Sequence, residues 1–370
     1  MYKRIQQILL FIILINLFLF NFEIGSVSIS TIALFISWLF YLMNLSKTGV
    51  KISNEYLLLL LFQLSFFAIA LYHGLSRGDI FFLLTISLTS LYVGPLWNLI
   101  RYTKSLIKHI FLVLYALYIL HFVVNFEFGS REFSSFVFEI INGFSYAILY
   151  FSAILITLLP NKGKLFVLIL SLFIISLTLS RGPLVLLLLS ALILLIYKRN
   201  FKLLFALIPS AFLLIILFDQ IGLVDEFFLR IKSIFDTGIN SSTNYRKSVF
   251  VDGIKHLPNH LWGTGYSSFT EFFWRYSDIR YTFDRTIPID NSYILLIFTS
   301  GLFPMLIFFV LVYKLIKKGN VGLSISVFIF LGHMFFDDVI ISPRFILLLN
   351  ILIIVFLKQE HDNKPIPFAN

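Results

Sequence analysis

The chain has 370 residues, of which 59% are hydrophobic and only 13% are charged. So few charged side chains cannot cover the surface of a soluble protein of this length, which excludes a soluble enzyme, a disordered chain and, despite the net charge of +10, a nucleic-acid binder. The absence of cysteine excludes disulfides, thiolate metal sites and a cysteine nucleophile.

Taken in chain order, the apolar runs predict an all-α polytopic integral membrane protein with about 12 transmembrane helices. No small-residue cleavage site follows the first run, so it is interpreted as an uncleaved span. The segment 165–197 is interpreted as two spans broken at 180–183, because one helix of that length would reach roughly 50 Å against a hydrocarbon core of about 30 Å. The predicted spans are residues 5–22, 26–45, 56–72, 80–100, 109–125, 144–160, 165–180, 183–197, 203–218, 291–313, 321–340 and 344–357.

The spans divide the chain into three predicted regions. Residues 1–160 form N-terminal membrane helices, and residues 161–357 form a second membrane region that contains one large outer loop, 219–290. Residues 358–370 are polar and are predicted to be a disordered cytoplasmic tail.

Charge counting gives an independent test of this topology. If the N-terminus is cytoplasmic, the inner segments hold 17 Lys and Arg with 3 acidic residues, and the outer segments hold 12 with 16. The net charge is then +14 inside and −4 outside. Because inner loops of membrane proteins are positive, both termini are predicted to be cytoplasmic. The basic residues indicate contact with anionic membrane lipids and say little about a polyanionic partner.

The choice between Arg and Lys differs between the two sides. Among the outer basic residues 9 of 12 are Arg, whereas 14 of the 17 inner ones are Lys. Arg stays charged when it is partly desolvated and binds phosphate or carboxylate oxygens through two N–H groups. This favours an outer cavity for an anionic substrate, with chance codon usage as the alternative.

Two outer arginines lie beside short spans. The spans flanking Ser180 and Arg181 reach only roughly 23 Å each, so they should draw this turn below the outer surface. A cation there needs a partner or a water-filled cavity, unless its guanidinium reaches back to the surface. Arg344 precedes another short span and is a second candidate, with Asp337 and Asp338 as alternative ion-pair partners.

The loop 219–290 supplies further candidates. Arg246 lies in the first turn of a predicted helix, where its charge and the positive helix end favour a phosphate. An ordinary solvated helix start is the alternative. Gly263 and Gly265 allow a tight turn, which is a weak signal by itself.

The end of the loop is aromatic and basic. Trp274 and Arg285 belong to a run of alternating aromatic and Arg residues that suits sugar rings, although placement at the membrane interface is favoured. Asp290 and Asn291 open the tenth span. A carboxylate there could accept a proton from a sugar hydroxyl, but helix capping is favoured from the residues alone.

Metal and nucleotide chemistry have no support in the sequence. No group of His, Asp and Glu has metal-ligand spacing, and no glycine-rich nucleotide loop is present. His121 and His333 lie in apolar spans and are predicted to be packed, neutral residues. No metal and no cofactor is predicted.

The order of these motifs resembles that of the O-antigen polymerase and O-antigen ligase superfamily of bacterial inner membranes. That superfamily shows Ser-Arg-Gly, then Arg, a Gly-x-Gly turn and His-Asn before the next span. The resemblance covers roughly residues 165–350, and the His-Asn position reads Asp290-Asn291 here. This departure favours a polymerase over a ligase with a histidine base. The matching residues are Ser180-Arg181-Gly182, Arg246, Trp262-Gly263-Thr264-Gly265 and Asp290-Asn291-Ser292-Tyr293, with Gly301 after them.

The resemblance implies a GT-C-like, metal-independent glycosyltransferase of the bacterial inner membrane, with the large loop in the periplasm. Its donor would be a growing glycan on undecaprenyl diphosphate, transferred to a new lipid-linked repeat unit. A polysaccharide chain-length regulator is an expected partner. Arg181 and Arg246 would bind the diphosphate, Asp290 would be the candidate base, and the Asp337–Asp338 pair the second choice. Ser180, Gly263, Gly265, Trp274, Arg285, Asn291 and Arg344 complete the predicted substrate site.

Two rival functions remain at this point. An O-antigen ligase would pass the finished glycan to lipid A-core. A flippase or secondary transporter would place ionisable residues in the middle of its spans and broken helices in paired halves. The middles of the predicted spans carry almost no charge here, which favours chemistry at the outer surface over transport.

Overall fold

The computed structural model of the chain describes nine long stretches, the short run 22–24, and several single positions or short runs between residues 216 and 263. These residues are 2–20, 22–24, 27–48, 54–72, 77–125, 141–178, 180–197, 216, 219–220, 222, 224–225, 228–229, 251, 254–255, 258, 261–263, 291–317, 321–336 and 342–361. Its helices are α1 Tyr2–Ile15, α2 Ile29–Thr48, α3 Asn54–Tyr72, α4 Arg77–Leu91, α5 Val93–Asn125, α6 Ile141–Leu158, α7 Asn161–Leu177, α8 Arg181–Tyr197, α9 Ser292–Ser300, α10 Leu302–Lys317, α11 Val321–Phe336 and α12 Pro343–His361.

This architecture confirms the all-α prediction for the part of the chain that is described. A π-helical turn, Asn16–Phe20, extends α1, and a small antiparallel hairpin joins it to α2 through β1 Glu23–Ile24 and β2 Val27–Ser28. The hairpin was not predicted. The ninth predicted span, 203–218, and most of the loop 219–290 lie outside the described residues.

The end of the chain differs from the prediction. The tail was expected to begin at residue 358, but α12 continues to His361. The continuation is helical because Lys358, Gln359 and Glu360 are all good helix formers, so loss of hydrophobicity did not end the helix.

The fourth and fifth predicted spans are divided at a different place. A break was expected over 101–108, where Arg101, Lys104 and Lys108 interrupt the apolar pattern, but α5 runs through this stretch without one. The break lies at Tyr92, between α4 and α5. Pro95 explains its position, because proline has no N–H to donate to the carbonyl of Leu91 and clashes with it.

The predicted span 291–313 is also broken. α9 ends at Ser300 and α10 begins at Leu302, with Gly301 between them at a φ of 79°. Only glycine adopts such a backbone conformation routinely, and this single residue interrupts an otherwise apolar run.

Helices α6 and α12 form the centre of the described fold. Along α6 every residue from Phe144 to Leu155 except Ala153 is buried, and along α12 Leu347, Leu348 and Ile351 have no exposed surface. α12 packs against α4, α5, α6 and α11, while α6 packs against α5, α7 and α8 as well. A helix that is apolar on all sides is stable in this position because its neighbours cover each face.

The outer surface of this bundle is apolar. Large hydrophobic side chains are exposed on α3, α5, α7 and α10, among them Leu64, Leu120, Phe166 and Leu306. One described helix, Ser105–Asn125, is long and apolar enough to cross a membrane, and eight further apolar helical stretches of 10–17 residues are shorter than this limit. The predicted count of 12 spans remains a prediction.

Candidate functional site

The turn between α7 and α8 confirms the predicted hairpin. α7 ends at Leu177, and Thr178 closes it in an αR conformation with its N–H bonded to the carbonyl of Ile174. α8 begins at Arg181, and its first turn is closed by a 3.3 Å hydrogen bond from Leu184 N to Ser180 O. Pro183 lies in this first turn, where a helix does not need the missing N–H. The loss of helix between 177 and 181 therefore follows from local sequence.

A chain of polar side chains holds this turn against α6. Ser145 Oγ donates to Thr178 Oγ1 at 2.8 Å and lies within hydrogen-bond distance of Ser180 Oγ, at 3.1 Å. Ser180 Oγ in turn donates to Asn142 Oδ1 at 2.9 Å. Ser145, Thr178 and Ser180 are buried, while Asn142 is half-buried. We call Asn142, Ser145, Thr178 and Ser180 the turn network.

Arg181 follows the turn network directly. It is the first residue of α8 and is half-buried. The N-terminus of a helix carries exposed N–H groups and a partial positive charge. A guanidinium added to this end makes the electrostatic potential more positive still, and a phosphate or other anion would be favoured there by both.

Arg344 is bound to the protein backbone. It is half-buried in the first turn of α12, and its Nε donates to the carbonyl of Leu17 at 2.8 Å. The neighbouring carbonyl of Phe18 accepts from Tyr118 Oη at 2.7 Å. Both carbonyls belong to the π-helical turn that ends the first helix, so Arg344 and Tyr118 bind the negative end of that helix.

A buried aromatic cluster connects Arg344 to the turn network. The ring of His333 on α11 stacks on Tyr146 with centroids 3.5 Å apart and meets Phe345 edge-on at 4.5 Å. Tyr146 follows Ser145 in the chain, and Phe345 follows Arg344. His333 is fully buried, which confirms its prediction as a packed residue. Its ring contacts with Tyr146 and Phe345 were not predicted.

Asn291 and Gly263 have structural contacts in the described residues. Asn291 is buried and caps α9, its Oδ1 accepting from Tyr293 N and Ile294 N at 3.1 Å each. This confirms the capping interpretation for that position. Gly263 has a φ of 80°, and its backbone lies against Gly301 at the break between α9 and α10. The preceding carbonyl of Leu261 accepts from Leu302 N at 2.8 Å.

The remaining predicted site residues fall outside the described part of the chain. They stay predictions, and they are Arg246, Gly265, Trp274, Arg285, Asp290, Asp337 and Asp338. Within the described residues, no group of three or more His, Cys, Asp or Glu side chains could hold a metal ion.

Sequence reasoning missed Asn142 and Ser145. Both lie at the start of α6, and their contacts are with residues more than 30 positions away in the sequence. An isolated Asn or Ser at such a position is a common helix start. The sequence contained one signal. Two pairs of small polar residues lie at the ends of two spans that were predicted to reach the same surface, and they are Asn142 with Ser145 and Thr178 with Ser180.

Comparison with known families gives a match to residues 166–310, by a family model described as O-antigen ligase. The matched segment begins in α7 and ends in α10, so it contains Ser180, Arg181, Gly263 and Asn291 and leaves out Asn142 and Arg344. Among the curated proteins none matches the chain.

Proposed function

Given membership of the O-antigen polymerase/ligase superfamily, which the match over residues 166–310 supports, we propose that the chain is a surface-polysaccharide polymerase. It transfers a growing glycan from undecaprenyl diphosphate to a new lipid-linked repeat unit at the periplasmic face of the inner membrane. The substrate class, a lipid-linked polysaccharide in the membrane, follows from the superfamily; the polymerase activity is the finer step that we propose.

The reaction exchanges one glycosidic bond for another. A hydroxyl at the non-reducing end of the incoming repeat unit attacks the anomeric carbon of the donor, and the bond from that carbon to the diphosphate oxygen breaks. The hydroxyl proton passes to a base, for which Asp290 is the candidate, and undecaprenyl diphosphate leaves. Because negative charge develops on the diphosphate, the catalytic requirement is a fixed set of positive groups and N–H donors around it.

The observation that supports the proposal is the position of Arg181. It is the first residue of α8, where the exposed helix N–H groups carry a partial positive charge, and the turn network holds the preceding residue, Ser180, through Ser145 and Asn142. We assign Arg181 and Arg246 to the diphosphate. The His-Asn position that reads Asp290-Asn291 favours polymerase over ligase.

The first prediction concerns Arg181 and Arg246. Replacing either by Ala should remove polymer while the protein still accumulates in the membrane, because loss of one such electrostatic contact costs roughly 30- to 1,000-fold in rate. The measurement is a lipopolysaccharide gel of a deletion strain carrying each variant. Arg181→Lys is the matched control, since it keeps the charge but not the two-pronged geometry, and should restore part of the chain length.

A normal polymer ladder in both alanine variants would contradict the assignment. So would a variant whose protein no longer accumulates, because the loss of polymer would then reflect folding.

An O-antigen ligase is the second candidate, because the matching family model carries that description. The same deletion strain separates the two functions. Loss of a polymerase leaves lipid A-core with a single repeat unit, whereas loss of a ligase or of a flippase leaves bare core. Bare core would overturn the polymerase proposal.

A further inference from the structure

We propose that Leu261–Gly263, a turn of the large loop 219–290, is inserted into the membrane, with the side chain of Trp262 among the lipid acyl chains of one leaflet. This is the leaflet on the side of the membrane where α9 begins. The turn lies outside every predicted span, so it is a lipid-binding surface that hydropathy does not reveal. The inference takes the predicted span 291–313 as membrane-spanning, and it holds for a polymerase and for a ligase alike.

The backbone holds this turn against the break between α9 and α10. Leu302 N, at the start of α10, donates to Leu261 O at 2.8 Å. Gly263 is buried, and a Cβ on it would lie 2.9 Å from the carbonyl oxygen of Thr299, near the end of α9. Trp262 lies between these two contacts, so its main chain is held beside Gly301.

The lengths of the two helices place the break inside the bilayer. α9 has 9 residues and α10 has 16, which correspond to about 13 Å before the break and about 24 Å after it along the membrane normal. Both helices pack against α3 and α11, so α10 continues along the neighbours of α9. Because a hydrocarbon core is about 30 Å thick, the break lies roughly 6–13 Å inside it on the α9 side.

Trp262 extends an exposed apolar stripe of α10. The stripe recurs at helical spacing along one face, and its residues are Phe303, Leu306, Val310 and Tyr313. The other face of α10 packs on α3, where the rings of Phe308 and Phe62 have centroids 5.9 Å apart. Trp262 lies beside the start of the stripe with 82% of its surface exposed. Since the stripe belongs to the membrane-facing surface of the bundle, lipid is the partner that covers both.

Polar backbone groups are the main cost of placing a turn at this depth. Non-helical backbone is tolerated there where its polar groups are bonded or covered by protein. Gly301 N bonds to Ile297 O at 2.7 Å, Leu302 N bonds to Leu261 O, and Gly263 is buried. Tryptophan suits the region just inside the headgroups, because its ring is apolar and its one N–H bonds to polar groups at the boundary.

The test measures the depth of position 262 with a spin label in lipid nanodiscs. The chain has no cysteine, so Trp262→Cys carries a single nitroxide, and the exposed side chain leaves room for it. Oxygen collides mainly with labels in hydrocarbon, and a nickel chelate with labels in water. The ratio of the two collision rates should be close to that of Leu306→Cys on the stripe. It should be several-fold higher than that of Asp225→Cys, an exposed position in the same loop.

Two results would overturn the inference. A ratio near that of Asp225→Cys would show that position 262 faces water, and protection from both reagents would show that it faces protein. A polyprenyl phosphate added to the nanodiscs distinguishes bulk lipid from the chain of a lipid-linked substrate. The spectra at positions 262 and 306 should both stay unchanged, whereas immobilisation at position 262 alone would assign the surface to the substrate and overturn binding of bulk lipid.

A second measurement uses the native side chain and decides the case in which Trp262→Cys does not fold. The fluorescence of Trp262 is the difference between the wild type and Trp262→Phe, a matched control that keeps an aromatic ring. Lipids brominated on their acyl chains should quench this difference, and iodide in the water should not. Quenching by iodide and not by brominated lipid would place Trp262 in water and contradict the insertion.

Discussion

Arg181 and Arg344, which the sequence singles out by the same argument from short spans, have different surroundings in the structure. Each lies in the first turn of its helix, α8 or α12. Arg344 donates to the backbone of the π-helical turn, in a buried neighbourhood that joins the first and last described helices. Arg181 directly follows Ser180, which belongs to the turn network. Hydropathy alone could not separate these surroundings, because Arg344 binds a carbonyl 327 positions away and the turn network joins residues 33 to 38 positions apart.

The second prediction concerns a single residue, Arg344. Its replacement by Ala should lower the stability of the protein by about 1–3 kcal/mol, because the carbonyl of Leu17 loses a charged donor in a partly buried place. The measurement is the thermal midpoint of the purified protein in detergent, and Arg4→Ala is the control because Arg4 is exposed on α1. An unchanged midpoint together with weakened substrate binding would instead support the predicted role of Arg344 in the substrate site.

Local chemistry made some single residues predictable. Asn291 is a good capping residue directly before an apolar run, and it caps α9. His333 lies among apolar residues and is packed between aromatic rings. Asn142 could not be found in this way. Its contact is with Ser180, which is 38 positions away in the sequence, and the two residues meet only when α6, α7 and α8 pack together.

At the scale of elements, a backbone contact joins Leu261–Gly263 of the large loop to the break between α9 and α10. A Cβ on Gly301 would lie 2.6 Å from the Trp262 carbonyl carbon, and a Cβ on Gly263 would lie 2.8 Å from Gly301 N. Both residues have φ near +80°, and the hydrogen bond from Leu302 N to Leu261 O closes the contact. The sequence showed the two glycines, but their pairing required the folded chain.

The third prediction tests this contact. Gly301→Ala and Gly263→Ala should each destabilise the protein by more than about 2 kcal/mol, because a side chain adds left-handed backbone strain of roughly 1–2 kcal/mol to a clash with main-chain atoms. The thermal midpoint in detergent is the measurement. Gly163→Ala on α7 is the control, since its Cβ would meet only Leu159 side-chain atoms at 3.4 Å or more. Equal midpoints in all three variants would contradict the contact.

The break between α4 and α5 shows why charges misled the sequence interpretation. Charged residues lower hydropathy, but they do not prevent helical hydrogen bonding, so α5 continues through 101–108. Proline does prevent it, and two carbonyls before the break also accept from side chains of other helices. Tyr56 donates to Leu91 O at 3.1 Å, and Asn350 donates to Thr89 O at 2.7 Å. The break is filled by protein groups, which is how an apolar surrounding tolerates it.

At the scale of the whole molecule, the described helices of the matched segment pack against helices outside it. Residues 166–310 supply α8, α9, α10 and most of α7, whereas the central helices α6 and α12 lie outside them. α6, which precedes the predicted boundary at 160–161, packs against α7 and α8, which follow it, and against α12. The sequence motifs lie in the matched segment, whereas the turn network also takes in Asn142 and Ser145, which precede that segment.

The last prediction concerns the orientation of the molecule, which the charge division of +14 inside and −4 outside predicts. The chain contains no cysteine, so single cysteines can be introduced without any other change. In spheroplasts, a membrane-impermeant maleimide should label Asn125→Cys and Asp225→Cys, because both positions are exposed and predicted to be periplasmic. Lys162→Cys and Lys317→Cys, exposed at predicted inner ends, should react only after the membrane is opened, and the wild type supplies the unlabelled control. Labelling of the two Lys positions in intact spheroplasts would invert the topology. It would also move Arg181 to the cytoplasmic side, where the proposed periplasmic reaction could not take place.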